Sequence, residues 1–180
     1  DTVSNVDTYM DNTTTDLRIV DRGAQPYAAI PVQASLSEWG KVTVLVGEVL
    51  GWVAQRGLEI AGPPFFRYWT IGDHTRPFRL AVGVPLLRAV PCEGRMVSGA
   101  IPAGRYATAV HRGHPDALMR TIRTLDEWME RNGLRPRQEH SDGTTTWSGR
   151  FEFYRTDPKV EPDLERWEIE LAYLLDEGSE

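Results

Sequence analysis

The chain has 180 residues, 41% of them hydrophobic and 26% charged, with a formal net charge of -6, a balance that predicts a soluble globular protein with one substantial core. Its basic residues are scattered, which argues against a nucleic-acid surface, where clustered Lys and Arg must neutralise phosphates. No apolar run is long enough to span a bilayer, no basic and apolar leader opens the chain, and the single cysteine, Cys92, excludes an internal disulfide framework; a cytoplasmic protein is expected.

The first fifteen residues read as a polar tail, too short and too unpatterned for a DNA-binding helix-turn-helix. The chain opens without an initiator Met, as a trimmed or processed chain does. A first strand is expected near Leu17 to Val20 and a second over Gln25 to Val32. A helix follows from Lys41 to Arg56, presenting Leu45, Val49, Trp52 and Val53 and ended by Gly57, although its Val-rich start and Gly47 are poor helix formers. Two strands, Phe65 to Thr70 and Phe78 to Leu86, complete this half. The same succession then returns, with strands near Met96 to Ile101 and over Gly104 to His111. The next helix is entered at Pro115 and Asp116 and stopped by Gly133, and Leu118, Ile122, Leu125 and Met129 form one apolar stripe along it. Strands over Phe151 to Thr156 and Trp167 to Leu175 close the chain.

The recurrence extends to local sequence. "QPYAAIPV" (25–32) resembles "GRYATAVH" (104–111), and "GWVAQRGL" (51–58) resembles "EWMERNGL" (127–134). "FFRYWT" (65–70) likewise resembles "FEFYRT" (151–156), and "FRLAVGVPL" (78–86) resembles "WEIELAYLL" (167–175). The expected fold is therefore α+β, one domain over residues 16–176. It consists of duplicated ββαββ modules, 16–87 and 95–176, related by pseudo-twofold symmetry. Their antiparallel sheets surround a central ligand cleft, with one main helix per half on the outside.

Strand alternation then sorts side chains. With Phe151 and Phe153 set against the helix, Glu152 and Tyr154 look into the cleft, and the same mapping sends Phe66 and Tyr68 there. In the last strand Ile169, Leu171 and Tyr173 fit the helix side and Glu170 the cleft, whereas the first half carries Ala81 at the matching place. One wall is then aromatic and apolar, the other holds Glu152, Tyr154 and Glu170, and Trp39 and Trp147 close the rim. A carboxylate in a dry recess is unfavourable without a partner; a ligand cation compensates it, and each ring face adds about 0.5–2 kcal/mol of cation–π attraction. Such a cleft suits lipophilic, planar, often cationic compounds. Structural readings stand beside these: Glu152 and Glu170 as members of a solvent-wetted sheet face, and Trp52 and Trp128 as helix-to-sheet core. "HRGH" (111–114) reads as a loop entering the helix, since no further His, Cys or carboxylate stands at ligand spacing, so no metal and no cofactor is expected. "DPKVEPD" (157–163) reads as a solvated loop, and no phosphate-cradling or nucleophile motif is present.

"IPAGRYATAVHRG" (101–113), "EWMERNGL" and "FEFYRTDPKVEPDLERWEIELAYLL" (151–175) resemble the second half of GyrI-like (gyrase-inhibitor-like) small-molecule-binding domains, and "FRLAVGVPL" resembles the end of that family's first half. The resemblance implies a duplicated module around a cleft. Its members include effector-binding domains of multidrug-responsive transcription regulators, stand-alone drug-binding proteins, and hydrolases that open cyclopropane rings of DNA-alkylating natural products. It implies that Glu152 is a cleft carboxylate, that Glu170 is the acidic residue of the final strand, and that Tyr68 and Tyr154 are the tyrosines of the penultimate strands. It makes Trp167 a ligand-stacking residue, whereas alternation turns that ring toward the core. Ala81 departs from the family's frequent acidic residue. Three functions stay open. The first is a stand-alone binder, for sequestration or sensing, with Glu152 and Glu170 as anchors and Trp39, Phe66, Tyr68, Tyr154 and Trp147 stacking. The second is a hydrolase with Glu170 as general acid/base and Tyr154 or Tyr68 as proton donor. The third is an interaction module for a gyrase-like protein or separate regulator, presenting Asp157, Glu161 and Asp163.

Overall fold

The computed structural model describes residues 14–178; the polar tail expected over residues 1–15 lies outside these but for its last two positions. Ten strands and two α-helices follow in the order β1 (Thr14–Arg22), β2 (Gln25–Ala34), α1 (Gly40–Gln55), β3 (Phe65–Thr70), β4 (Phe78–Pro85), β5 (Val97–Ile101), β6 (Gly104–Arg112), α2 (Leu118–Arg131), β7 (Gln138–Ser141), β8 (Thr144–Trp147), β9 (Arg150–Tyr154) and β10 (Glu168–Leu174). Both helices fall where apolar spacing places them. Val42, Leu45, Val49 and Val53 are the buried stripe of α1, and Leu125 and Met129 are buried on α2. Both end in the same hydrogen-bonded cap. Gly57, at φ 61°, donates to Ala54 while Leu58 donates to Val53; Gly133, at φ 64°, donates to Glu130 while Leu134 donates to Met129. Only a residue without a Cβ takes that backbone turn freely, which is why glycine stops each helix.

Eight strands form one antiparallel sheet in the order β1-β6-β10-β9-β3-β4-β2-β5, and β7 and β8 form a separate hairpin. The chain connections force this sheet to curl. Gly23 and Ala24 alone join β1 to β2, and Pro102 and Ala103 alone join β5 to β6, yet each pair of strands stands six places apart in the order. Six steps across a flat sheet cover roughly 29 Å, and a two-residue link reaches only about 10 Å. The edges must therefore approach one another, giving the sheet an inner and an outer face.

Register assigns every residue to a face. Leu171 pairs with Ala109 and Glu152, Glu152 with Phe66, and Phe66 with Val82, which pairs with Ile30. All belong to the outer face, where α1 packs on Ile30, Phe66, Leu80 and Val82 and α2 on Ala107, Ala109, Leu171 and Tyr173. The inner face carries no helix, and its core is Tyr27, Phe65, Tyr106, Phe151 and Phe153 with Ala29, Ala81 and Ala172. This corrects the expected sorting of β3 and β9. Phe151 and Phe153 point inward, and Glu152, Tyr154, Phe66 and Tyr68 stand on the same side as the helices. The curled sheet's interior takes the rings of Tyr27, Phe65, Tyr106, Phe151 and Phe153, and the small residues Ala29, Ala81 and Ala172 make room for them. Ala81 is one of these: it packs with Phe65 and Phe151 where a longer side chain would collide. In place of two sheets around a central cleft there is one curled sheet, and aromatic core fills its helix-free face.

The β7–β8 hairpin is absent from the sequence reading. Its signal is the Asp142–Gly143 pair between Ser141 and Thr144, both at positive φ (50° and 74°), a two-residue turn whose twist suits a hairpin.

Candidate functional site

The outer face over β3 and β9 lies between the two helices, and here five of the expected site residues come together: Trp39, Phe66, Tyr68, Glu152 and Tyr154. Trp39 stands at the start of α1, after a short 3-10 turn (Leu36–Glu38) whose capping box joins Ser35 to Glu38. That turn carries the indole over the sheet, where it stacks on Tyr68 (6.4 Å between centroids, 9° between planes) and meets Phe66 and Phe78 edge-on at 6.1 and 5.3 Å. Phe66 in turn meets Tyr154 at 4.8 Å. Phe78 opens β4 and is not among the expected site residues, although alternation with Leu80 and Val82 sets it on the same face.

Glu152 sits among these rings and is 7% exposed. Tyr154 and Tyr68 both donate their hydroxyls to the same oxygen, Oε2, at 2.8 and 3.1 Å. Burial raises the Glu152 carboxyl above the ordinary glutamate range, against the lowering effect of the Tyr154 hydrogen bond, the Arg150 charge and the Tyr68 hydrogen bond. Burial, and next to it the adjacent Glu152 charge, pushes both phenols well above the usual tyrosine value, so they remain proton donors. No basic side chain of the described residues forms an ion pair with Glu152. Its hydrogen-bond donors are both neutral and the Arg150 charge acts on it without an ion pair, so the compensation is partial and a closer cation would complete it.

Glu170 stands differently. Its strand neighbours are Val110 and Phe153, so it faces inward, away from Glu152 and Tyr154. Arg22 donates to its Oε1 and Arg155 to its Oε2, and the Arg22 guanidinium lies 5.5 Å over Phe153 and 5.7 Å over Tyr106. The expected wall holding Glu152, Tyr154 and Glu170 together is therefore not formed, and Glu170 is not beside the hydroxyl of Tyr154 as the acid/base reading requires. The cause is the pairing of Leu171 with Glu152, which sets the neighbouring Glu170 on the other face.

Two tryptophans expected at the site lie outside the aromatic cluster. Trp147 ends β8 and meets Tyr173 edge-on at 5.5 Å, under α2, with the Arg150 guanidinium 4.4 Å from it. Trp167 precedes β10, and its indole N–H donates to the Glu161 carbonyl at 3.0 Å, tying down the 157–163 loop. Arg150 and Tyr173 were not proposed as site residues, although Arg150 shares the outer face with Glu152 by simple alternation. The "HRGH" segment is structural here: buried His111 bonds Thr121 of α2 through Nδ1 (2.6 Å) and the His114 carbonyl through Nε2 (2.9 Å). Among the described residues no group of three His, Cys, Asp or Glu is placed to hold a metal ion, and no helix is long and apolar enough to cross a membrane. An open recess at the C-terminal end of α2, lined by Asp126, Met129, Leu134 and Pro136 among others, contains none of the site residues.

The architecture is that of an α+β domain built on one curled antiparallel sheet with two outer helices. The chain belongs to the GyrI-like small molecule binding domain family, which matches residues 15–173. The EcmrR C-terminal domain is similar in structure, with a TM-score of 0.72 at 16% identity over 89% of this chain and 97% of that one. EcmrR in its complex with DNA matches with a TM-score of 0.73 at 16% identity, over 91% of this chain but 58% of that chain. SAV2435, in a structure bound to tetraphenylphosphonium, matches with a TM-score of 0.57 at 7% identity, over 91% of this chain and 95% of that one. A protein from Listeria innocua described as a hydrolase has a TM-score of 0.55 at 13% identity, over 88% of this chain and 91% of that one. No curated protein matches the sequence significantly. At these identities the structural likeness establishes the fold.

Proposed function

We propose that this chain binds lipophilic, planar aromatic cations over Glu152, with Trp39, Phe66, Tyr68 and Tyr154 as the ring wall, in drug sequestration or sensing. The observation that carries this is the Glu152 carboxylate, buried among rings, hydrogen-bonded by two phenols and, among the described residues, in direct contact with no basic side chain. Tetraphenylphosphonium, bound to SAV2435 in a protein of the same fold, shares the lipophilic, aromatic and cationic character of this class, with its rings arranged tetrahedrally rather than in one plane. The strand order supports reading the two halves as copies of one ββαββ unit: from the centre outwards it runs β9, β10, β6 on one side and β3, β4, β2 on the other. Glu152 then belongs to the second copy alone, and the site is one-sided.

Tryptophan quenching by tetraphenylphosphonium and by neutral triphenylphosphine oxide tests the reading. Glu152→Gln is expected to weaken the cation by about tenfold or more and the neutral compound by less than about twofold, since only the cation loses a charge partner. Equal weakening of both, or of neither, overturns it. A hydrolase would use the same Glu152 and Tyr154, which are already hydrogen-bonded, so turnover of a cyclopropane-bearing alkylator that is lost in Glu152→Gln would move the assignment from binding to catalysis.

A further inference from the structure

Arg150 lies two residues before Glu152 on β9, on the same outer face, and pairs across the sheet with Tyr173. Its guanidinium sits in the angle between two rings, 4.4 Å from the Trp147 centroid and 4.6 Å from that of Tyr173, and the rings themselves are 5.5 Å apart at 61°. An aromatic corner of this kind is a binding place for a cation, and here the protein's own side chain occupies it. No carboxylate of the described residues forms an ion pair with Arg150. The nearby acids are Glu152 on β9 and Asp126 on α2, and the Arg150 charge lowers the proton affinity of both. The Tyr173 hydroxyl in this corner is fully buried and has no hydrogen-bond partner, an orphan of the kind that an additional molecule satisfies.

We infer that Arg150 is the resident cation of the site, filling the Trp147–Tyr173 corner and offsetting Glu152 until a ligand cation displaces it. The inference rests on the Glu152 reading and assigns its selectivity. A guanidinium that must leave its rings lowers the affinity of every cation that enters, so only ligands with enough apolar surface to fill the corner in its place bind well. Small hydrated cations bring no such surface and are excluded. Trp147, remote from the aromatic cluster around Trp39, thereby becomes the second end of one elongated site with Glu152 between the two.

Arg150→Met keeps the length and apolar stem of the side chain and removes the charge, and Arg150→Lys keeps the charge. Tetraphenylphosphonium is expected to bind Arg150→Met at least about fivefold more tightly than wild type, with triphenylphosphine oxide changed by less than about twofold and Arg150→Lys close to wild type, as removal of a competing cation requires. Unchanged or weaker cation binding in Arg150→Met overturns the inference, while Glu152→Gln separately reports whether the site itself is correctly placed. Wild-type protein supplies a second readout that needs no variant. The Arg150 side-chain proton resonances, shifted by the two rings in the free protein, are expected to move to ordinary values as tetraphenylphosphonium is added. Resonances that keep their ring shifts at saturation overturn the displacement.

Discussion

Glu152 and Glu170 are carboxylates on neighbouring strands, 7% and 8% exposed, that face opposite ways through the same sheet. Glu170 looks into the interior and receives two guanidinium groups, one from the first strand and one from the segment after β9. Glu152 looks outward between the helices and receives two phenols. Burial alone therefore does not distinguish a structural acid from a binding one. The partner does: guanidinium groups neutralise a carboxylate, whereas hydroxyls stabilise it while leaving its charge in place. Glu170 closes a crosslink between strands, and under the proposed function Glu152 is the acid that a ligand cation meets.

The strongest test of this contrast is Glu170→Gln, which leaves Arg22 without its carboxylate and Arg155 with only its longer contact to Glu168 (3.9 Å). Their side chains are 25% and 39% exposed, so solvent screens part of the loss, and a destabilisation of about 2 kcal/mol is expected. The urea midpoint should fall accordingly, and tetraphenylphosphonium affinity should stay within about twofold of wild type. A loss of affinity as large as that in Glu152→Gln would erase the difference between the two acids.

Glu152→Gln should act on stability with the opposite sign. It keeps the side-chain shape and an acceptor for the phenols but removes a charge that folding desolvates, so a gain of roughly 1 kcal/mol at neutral pH is expected. The pH dependence carries the same information. Burial raises the Glu152 carboxyl in the folded protein, so between its unfolded and folded values the native state binds more protons than the unfolded one. Its contribution to wild-type stability is intact below about 4.3, the ordinary glutamate value, and declines as pH rises through the folded value. Thermal melts of the two proteins should therefore converge as pH is lowered toward that value and separate above it. Melts that stay parallel would show that Glu152 is not desolvated.

The smallest effect is expected from Tyr68→Phe, which removes the longer of the two phenol bonds to Glu152 and leaves that of Tyr154. A loss of about 1 kcal/mol in stability is expected, with the acid limb of cation binding displaced to higher pH because the carboxylate has one donor fewer. Fluorescence titrations across pH 4 to 8 measure that displacement. An unmoved limb would mean that Tyr68 contributes only its ring.

Much of the architecture is legible in the residues themselves. The apolar stripes of α1 and α2, with Gly57 and Gly133 beyond them, mark α1 to within a residue and α2 to within three, its entry at Pro115 being a 3-10 turn, because helical spacing and a left-handed cap are local properties. The alternation in β9 correctly separates Glu152 and Tyr154 from Phe151 and Phe153, but not which pair faces the helices. That choice depends on the curl of the sheet, which makes the helix-free side the interior and draws the phenylalanines into it. For the same reason Ala81, which reads as a missing acid in the first half, is a small residue beneath aromatic rings. Trp147 illustrates a further limit, since Arg150 follows it by three residues but Tyr173 reaches both only through a strand pairing that hydrophobic spacing does not encode.

Sequence alone determined both helices, the strands of the main sheet and their order along the chain, the resemblance between halves and the residue types available for a greasy site with negative charge, because each of these is written in local spacing and composition. Only the tertiary structure decided which carboxylate meets arginines and which meets tyrosines. That outcome is set by strand register and sheet curvature, through which residues far apart in the chain, such as Arg22 and Glu170 or Tyr68 and Glu152, come within hydrogen-bonding distance.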